Sequence, residues 1–168
     1  MIGTCVWFLK LQLSFDIKMN RLVACVVLFV LAVQASGTKF NDCGSSTGEV
    51  SAVEVSDCPD SADTCILKKG TTKAITIKFA SKTDSKSVKA VVHGVIGGVP
   101  LPFSLPKPKD DGCKTGLNCP LKNGESYVYN NNLDIKNSYP PLGVTVRWEL
   151  KDDSQNDIVC VEIPCKIE

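Results

Sequence analysis

The chain has 168 residues, of which 43% are hydrophobic, and its 19 basic and 18 acidic side chains leave a formal net charge of +1. This length suits a single domain, and a near-neutral chain without a basic stripe is a poor candidate for nucleic-acid binding. Blocks of like charge are also absent from the sequence, which argues against a disordered tail.

The sequence MNRLVACVVLFVLAVQASG, residues 19–37, has the layout of a secretory signal peptide. A basic residue, Arg21, precedes an apolar run that is shorter than the roughly 20 residues needed to span a bilayer, and small residues follow this run. We therefore expect residues 1–37 to be removed from the mature protein. We interpret residues 1–18 as an upstream extension, with Met19 as the true start; a longer signal or a signal anchor is the alternative.

After the signal peptide, alternating hydrophobic residues predict one strand after another. The sequence EVSAVEVSD places Val53 and Val55 on one face of a strand, and TTKAITIKFA places Ile75, Ile77 and Phe79 on one face of the next. The sequence SVKAVVHGVI is apolar on both faces, which is typical of a central strand.

The sequence GVIGGVPLPFSLPKP, residues 94–108, is mostly apolar but contains four prolines and three glycines. We expect an irregular loop here, not a regular strand, held in an extended form by Pro100, Pro102 and Pro106. Irregular segments normally lie on the surface and are polar, so the apolar side chains of this loop need an explanation. They form either a hydrophobic plug or the rim of a site for an apolar ligand.

The last third of the chain predicts three more strands, the first of them the short aromatic sequence SYVY. The sequence LGVTVRWELKDD is the clearest strand, with four apolar residues facing inward: Val144, Val146, Trp148 and Leu150. The sequence DIVCVEIPCKIE alternates again and follows a hairpin turn at DDSQND. Turn signals at KKG, SKTDSK, KNGE and YNNN separate the other strands. The pattern predicts an all-β antiparallel sandwich of six or seven strands.

Seven cysteines follow the signal peptide, and in an oxidising compartment they predict a disulfide framework with one cysteine left over. Their spacing lacks the paired C-x-x-C motifs and histidines of a zinc site, so we expect no metal. Six cysteines allow fifteen pairings, and proximity and strand parity alone favour one of these. That pairing is Cys43–Cys160, Cys58–Cys65 and Cys113–Cys119. Cys165 lies on the apolar face of its strand, where we expect a buried, unpaired thiol.

Catalytic motifs are weak in this sequence. His93 is the only histidine of the chain, and it lies within a mostly apolar strand with no second titratable group nearby in sequence. No G-x-S-x-G nucleophile motif follows the signal peptide, and the Gly97–Gly98 pair does not open a helix. We expect no catalytic residue, no cofactor and no enzymatic activity. Binding is better supported, because the proline-rich loop and a second such segment, LDIKNSYPP, suit a rigid, preformed site.

Five blocks of sequence carry a family resemblance: DCGS, VSDCP, SKSVKAVVHGVIGGVPLPF, DGCKTGLNCP and VRWELKDD…IVCVEIP. They resemble the Niemann–Pick type C branch of small sterol carriers in the ML (lipid-recognition) family, and the similarity covers nearly all of residues 38–168. The resemblance implies one ML lipid-recognition domain over residues 38–168, folded as an immunoglobulin-like β-sandwich of two sheets. It also implies an apolar ligand between the sheets and the three disulfide bonds given above.

The resemblance further implies which residues bind the ligand. Phe103 matches the phenylalanine that gates the tunnel mouth in the family's sterol carriers, and Ile135 and Tyr139 match an aliphatic residue and a tyrosine with the same role. By alignment and inward parity, five more residues are candidates for the tunnel lining: Val55, Leu67, Val92, Val146 and Trp148.

The sequence departs from the family pattern at several positions. Lys73 stands where vertebrate members carry an aromatic residue, and we expect it to alter the entrance. Cys165 replaces a valine that faces the cavity, and Gly97 replaces a larger apolar residue beside the entrance loop. No N-x-S/T glycosylation site follows the signal peptide, which favours secretion over delivery to the lysosome through a glycan tag.

The resemblance implies a non-enzymatic carrier that binds a sterol and transfers it between membranes or to a membrane sterol transporter. We expect a monomer in the extracellular space, with the lysosomal lumen as the alternative compartment. Two alternative functions stay open: an extracellular carrier of fatty acids or semiochemicals, and an innate-immune protein that recognises microbial lipid. For the second, Lys107, Lys109 and Lys114 near the loop are the candidates for contacting anionic head groups.

Overall fold

The computed structural model describes residues 37–168, and the predicted signal peptide and the predicted start at Met19 lie outside the described residues except for Gly37. Within the described part, the chain forms nine strands and a 3₁₀ turn over Gly112–Lys114. The strands are β1 (Asn41–Asp42), β2 (Gly48–Val55), β3 (Cys65–Leu67), β4 (Thr72–Ser81), β5 (Lys89–Ile96), β6 (Val99–Phe103), β7 (Ser126–Asp134), β8 (Gly143–Lys151) and β9 (Asp157–Ile167).

The nine strands form two sheets. The larger sheet has the strand order β1-β9-β8-β5-β6, with β3 pairing in parallel with β9, and the smaller sheet has the order β2-β4-β7. All other pairings in the two sheets are antiparallel. The predicted all-β sandwich of two sheets is therefore confirmed. The strand count exceeds the predicted six or seven because β1 and β3 have only two and three residues, too few for an alternating pattern to show, and because β6 was predicted as a loop.

Apolar side chains on the inner faces of the two sheets fill the core between them. On β8, the four residues predicted to face inward are all buried, as are Ile75, Ile77 and Phe79 on β4. The rings of Tyr129 on β7 and Trp148 on β8 have centroids 6.1 Å apart, and this contact joins the smaller sheet to the larger one. Fully burying each such large apolar side chain contributes roughly 1.5–3 kcal/mol.

The asparagine run YNNN, predicted as a turn, lies within strand β7 instead. Each of two consecutive asparagines finds a partner on its own face: Asn130 Oδ1 accepts a hydrogen bond of 2.8 Å from Thr76, and the buried Asn131 Nδ2 donates one of 2.8 Å to the backbone oxygen of Lys109. Because these partners satisfy the polar side chains, the run stays extended and paired with β4 through Asp134. The turn prediction was wrong for this reason.

The proline-rich segment, predicted as an irregular loop, forms the second arm of a β-hairpin. Strand β6 pairs antiparallel with β5, and the chain reverses at Gly97 and Gly98, which have φ angles of +57° and +84° that favour glycine. Pro100 and Pro102 are tolerated because β6 is the edge strand of its sheet, where a missing backbone N–H need not break a ladder. The extended geometry was predicted correctly, and the absence of regular pairing was not.

The structure contains three disulfide bonds among the described residues, and they join the same pairs that proximity and parity favour. They are Cys43–Cys160, Cys58–Cys65 and Cys113–Cys119. Cys165 is buried and free. The first bond closes a loop with a sequence separation of 117, whereas the last closes one with a separation of 6. The long bond therefore restricts the unfolded chain far more than the short one.

We expect loss of the Cys43–Cys160 bond to lower the free energy of unfolding about twice as much as loss of Cys113–Cys119. The chain-entropy relation gives about 5 kcal/mol for the long loop and about 2.4 kcal/mol for the short one. Urea unfolding of the two paired Cys→Ser variants measures both values. Equal losses would show that native-state contacts around each bond outweigh the restriction of the unfolded chain.

Candidate functional site

An apolar cavity, which we call the main cavity, lies between the two sheets, at the end that carries the β5–β6 hairpin. It has a volume of about 230 Å³ and a lining that is almost entirely apolar. Six of the eight residues proposed from the sequence border it: Leu67, Val92, Phe103, Ile135, Tyr139 and Val146. The structure therefore brings together residues from five separate strands and loops around one apolar space.

The mouth of the main cavity is framed by two aromatic rings. The rings of Phe103 and Tyr139 meet edge to face, with centroids 6.2 Å apart and planes inclined by 77°. Both rings also border an outer cleft of about 440 Å³ whose polar lining includes Lys109, Asp134 and Lys136. The two rings therefore stand between a cleft that carries charged side chains and an apolar interior.

Behind the main cavity is a much smaller space, which we call the inner space, with a volume of about 20 Å³. Val55 and Trp148, the remaining two residues proposed from the sequence, border this inner space and not the main cavity. The two spaces share three lining residues, Leu67, Leu133 and Val146. Of the eight proposed residues, Leu67 and Val146 therefore border both spaces, whereas Val55 and Trp148 border only the inner space.

The main cavity is small for a site that encloses a large ligand. Pockets for drug-sized ligands typically have volumes of about 300–1,000 Å³, whereas the main cavity has about 230 Å³. The cavity therefore holds a sterol-sized molecule only after some of its side chains move. The three residues shared with the inner space, and the two rings at the mouth, are the side chains whose movement would enlarge it.

Several lining residues of the main cavity were not proposed from the sequence. Val144 and Ile167 have the inward parity that strand alternation gives, so the signal for both was present. Leu133 was missed because the asparagine run before it was predicted as a turn, although it lies at period two from the buried Tyr129. Leu142 lies in the loop before β8, and no alternation marks it.

Lys73 lies at the inner space and not at the entrance, where it was expected. Its side chain is buried on the inner face of β4, and its Nζ lies 3.0 Å from Asp57 Oδ2 and 3.4 Å from the backbone oxygen of Ser56. The residue pairs with Leu133 across β4 and β7, and it borders neither the main cavity nor the outer cleft at the mouth. The expectation that it alters the entrance is therefore corrected.

Cys165 also borders the inner space. Burial among apolar side chains raises the pKa of its thiol to about 12, because the ionised form would lose its hydration. The thiol is therefore neutral at physiological pH and is a poor nucleophile.

His93 contacts a carboxylate on the neighbouring strand β8. Its Nδ1 lies 2.9 Å from Glu149 Oε2, and Glu149 Oε1 in turn lies 3.0 Å from Lys151 Nζ. Glu149 belongs to the outer face of β8, since its neighbours Trp148 and Leu150 face the core. Over the described range 37–168, no three His, Cys, Asp or Glu side chains are grouped to hold a metal ion.

Comparisons with known proteins agree with this architecture. The family model for the ML domain matches residues 37–167. The chain belongs to the ML domain family. It is 43% identical over 151 residues to the mouse protein named NPC intracellular cholesterol transporter 2, covering 89% of this chain and 99% of the mouse protein.

Two further members of the ML domain family extend the comparison to insects. The chain is 44% identical over 147 residues to the Drosophila melanogaster protein named NPC intracellular cholesterol transporter 2 homolog a, covering 87% of this chain and 96% of that protein. The crystal structure of a Niemann–Pick type C2 protein from the Japanese carpenter ant superposes with a TM-score of 0.73 at 32% identity. That match covers 77% of this chain and 99% of the ant protein. In residues 37–168 there is no helix with the length and apolar character to cross a membrane.

We expect Cys165 to lower the stability of this ML domain at high pH. The folded chain keeps the thiol protonated up to a pKa of about 12, whereas the thiol of the unfolded chain ionises near 9. Above pH 9 the unfolded state therefore releases a proton that the folded state retains, and the free energy of unfolding falls by about 1.4 kcal/mol per pH unit.

Urea unfolding of the wild type and of Cys165→Val at about pH 8 and about pH 10 tests this expectation. The difference in unfolding free energy between the two proteins should change by about 1.4 kcal/mol in favour of the valine variant as the pH rises. An unchanged difference would mean that water reaches the thiol in the folded protein.

Proposed function

We propose that this ML domain is a non-enzymatic carrier that encloses a sterol in the main cavity and shields it from water. The observation that carries the proposal is the apolar cavity between the sheets, with the rings of Phe103 and Tyr139 at its mouth. The relatives named NPC intracellular cholesterol transporter 2, at 43–44% identity over most of the chain, support a sterol as the ligand. We assign Phe103, Ile135 and Tyr139 to the mouth of the main cavity, Leu67, Val92 and Val146 to its lining, and Val55 and Trp148 to the inner space behind it.

The energetics of sterol binding fit a cavity of this kind. Each buried CH₂ group contributes about 0.8 kcal/mol, so enclosing a sterol provides on the order of 10 kcal/mol or more. Association costs about 4–15 kcal/mol in lost freedom, which leaves little margin for extensive rearrangement. Because the unliganded cavity is smaller than a sterol requires, we infer that binding rotates a few lining side chains and leaves the sheets in place.

Delivery of the ligand requires contact with a membrane or a membrane sterol transporter, and we propose that the β5–β6 hairpin supports this contact. Ile96, Val99 and Leu101 are large apolar side chains on this hairpin with 38%, 58% and 50% of their surface exposed. The hairpin borders the main cavity, so a contact there lies beside the ligand. The predicted signal peptide supports a location in the extracellular space or the lysosomal lumen, and we propose that the carrier is a monomer there.

Recognition of anionic microbial lipid has less support from the charges near the mouth. Lys109 Nζ lies 3.0 Å from Asp134 Oδ2, and Lys114 Nζ lies 3.1 Å from Asp111 Oδ2. Two of the three lysines considered from the sequence therefore already have a carboxylate partner.

Extraction and mass-spectrometric identification of lipid from protein secreted by native tissue tests the proposed sterol ligand directly.

We expect Phe103→Ala and Tyr139→Ala each to weaken cholesterol binding about tenfold or more, because each removes an apolar side chain worth more than 1.4 kcal/mol of contact with the ligand. Both side chains are partly exposed, so the thermal midpoint should change little. Binding of a fluorescent sterol together with thermal unfolding measures both properties. As a contrast, Phe79→Ala removes a core ring that is 1% exposed and should cost about 3–5 kcal/mol in stability. Equal losses of stability and binding at the mouth would show that its rings are only core residues.

We expect Val146→Phe to abolish cholesterol binding without lowering stability. Val146 borders both the main cavity and the inner space, so a larger ring at this position occupies the volume a sterol would need. Filling an empty apolar cavity in this way leaves the free energy of unfolding unchanged or higher. The matched control is Val128→Phe on the outer face of β7, where the valine is 47% exposed. Unimpaired sterol uptake by the Val146 variant would refute the location of the site.

A further inference from the structure

One ion pair joins the two sides of the outer cleft. Lys109 follows β6, an edge strand of the larger sheet, and Asp134 ends β7, an edge strand of the smaller sheet. Both residues line the outer cleft, and Lys109 Nζ lies 3.0 Å from Asp134 Oδ2. The contact between these two side chains therefore crosses the cleft.

The outer cleft and the main cavity share four lining residues: Pro102, Phe103, Leu133 and Tyr139. Two of these are the aromatic rings that frame the mouth of the main cavity. When the two rings move apart, the main cavity and the outer cleft become one space. A ligand that leaves the main cavity between the rings then meets the Lys109–Asp134 pair on its path.

The backbone beside this ion pair is held to both sheets by buried groups. The backbone N–H of Ala90 on β5 donates a hydrogen bond of 2.9 Å to the backbone oxygen of Asp110, and Asn131 Nδ2 on β7 donates one of 2.8 Å to that of Lys109. Ala90 and Asn131 are 3% and 7% exposed. Because breaking a buried hydrogen bond is costly, we expect the backbone of residues 109–110 to stay in place.

The ion pair itself is much less protected than this backbone. The side chain of Lys109 is 28% exposed and that of Asp134 is 55% exposed. Ion pairs at the surface contribute little to stability and are screened by salt, so this pair can open without disturbing the fold. The movable part of the segment is therefore the Lys109 side chain.

The carboxylate of Asp134 has a second partner that keeps it in position. Thr72 Oγ1 on β4 donates a hydrogen bond of 2.8 Å to Asp134 Oδ1. This hydrogen bond, together with the nearby charge of Lys109, holds the pKa of Asp134 below its ordinary value. Lys136 also lines the cleft, but it follows Asp134 on the same side and does not bridge the cleft.

We propose that Lys109 and Asp134 form a latch across the outer cleft that controls how fast the ligand enters and leaves the main cavity. The closed pair lies across the path in the empty and in the loaded protein, so breaking it speeds uptake and release equally and leaves the affinity unchanged. This inference rests on the proposed carrier function, but it concerns the rate of ligand exchange and not the identity of the ligand.

Removing either charge should open the latch. Lys109→Met keeps the backbone oxygen that Asn131 holds, and Asp134→Asn keeps an oxygen for the hydrogen bond from Thr72. Each variant should raise the association and dissociation rate constants of the fluorescent sterol dehydroergosterol about two- to fivefold, the range expected for an exposed ion pair. The double variant should exchange no faster than either single variant, since all three lack the same pair. Stopped-flow fluorescence measures both rate constants.

Two variants and the salt concentration provide the controls. Lys109→Arg keeps the charge and should exchange sterol at the wild-type rate. Glu54→Gln removes an ion pair of 2.7 Å with Lys78, whose partners are 47% and 48% exposed and line neither the main cavity nor the outer cleft, so it should also exchange at the wild-type rate. Raising the NaCl concentration from about 20 to about 500 mM screens the latch, so it should speed exchange in the wild type and not in Lys109→Met or Asp134→Asn.

The result that overturns the latch is exchange at the wild-type rate in Lys109→Met or in Asp134→Asn. A weaker affinity with an unchanged association rate constant also overturns it, because the pair would then contact the bound ligand. Either result leaves the carrier function intact as long as the wild type binds dehydroergosterol. Failure of the wild type to bind this sterol would refute the carrier function and the latch together.

Discussion

The incomplete filling of one end of the β-sandwich is the constraint on which the site depends. At the other end, the sheets approach so closely that a Cβ on Gly48 of β2 would collide with the carbonyl oxygen of Ile158 on β9. The rings of Tyr129 and Trp148 fill the middle of the sandwich. Beyond them lie the main cavity and the inner space, which the side chains there do not fill. Because the tight end fixes the spacing of the sheets, the open end is held apart without a ligand.

The covalent bonds and short strands of the chain maintain this open end. The Cys58–Cys65 bond fixes the chain between β2 and β3, and β3 then pairs in parallel with the end of β9. This pairing positions Leu67, which borders both the main cavity and the inner space. A three-residue strand has too few backbone hydrogen bonds to hold its place alone, so the disulfide bond and the pairing with β9 act together.

The alternation of polar and apolar residues predicted the strands that this local pattern is sufficient to specify. Strand β8 was predicted with its four inward residues because polar and apolar positions alternate there without interruption. The asparagine run in β7 and the prolines of β6 were misjudged because their stability depends on distant partners: Thr76, the backbone of Lys109 and the edge position of β6. The site was also predictable in part, since strand parity and family resemblance named six lining residues of the main cavity. Packing in three dimensions alone determines that Val55 and Trp148 are separated from the main cavity. It also determines that Lys73 lies at the inner space.

The small volume of the unliganded cavity is a consequence of the same physics that drives ligand uptake. An apolar cavity of about 230 Å³ that side chains do not fill lacks the packing contacts of a filled interior, and this loss lowers stability. A cavity that stayed open to the full size of a sterol would cost more, and this cost would come out of a stability that is only about 5–15 kcal/mol for a domain. Partial closure by movable side chains lowers the cost in the unliganded state. It also lowers affinity by the free energy of reopening, and a lower affinity of this kind favours release of the ligand.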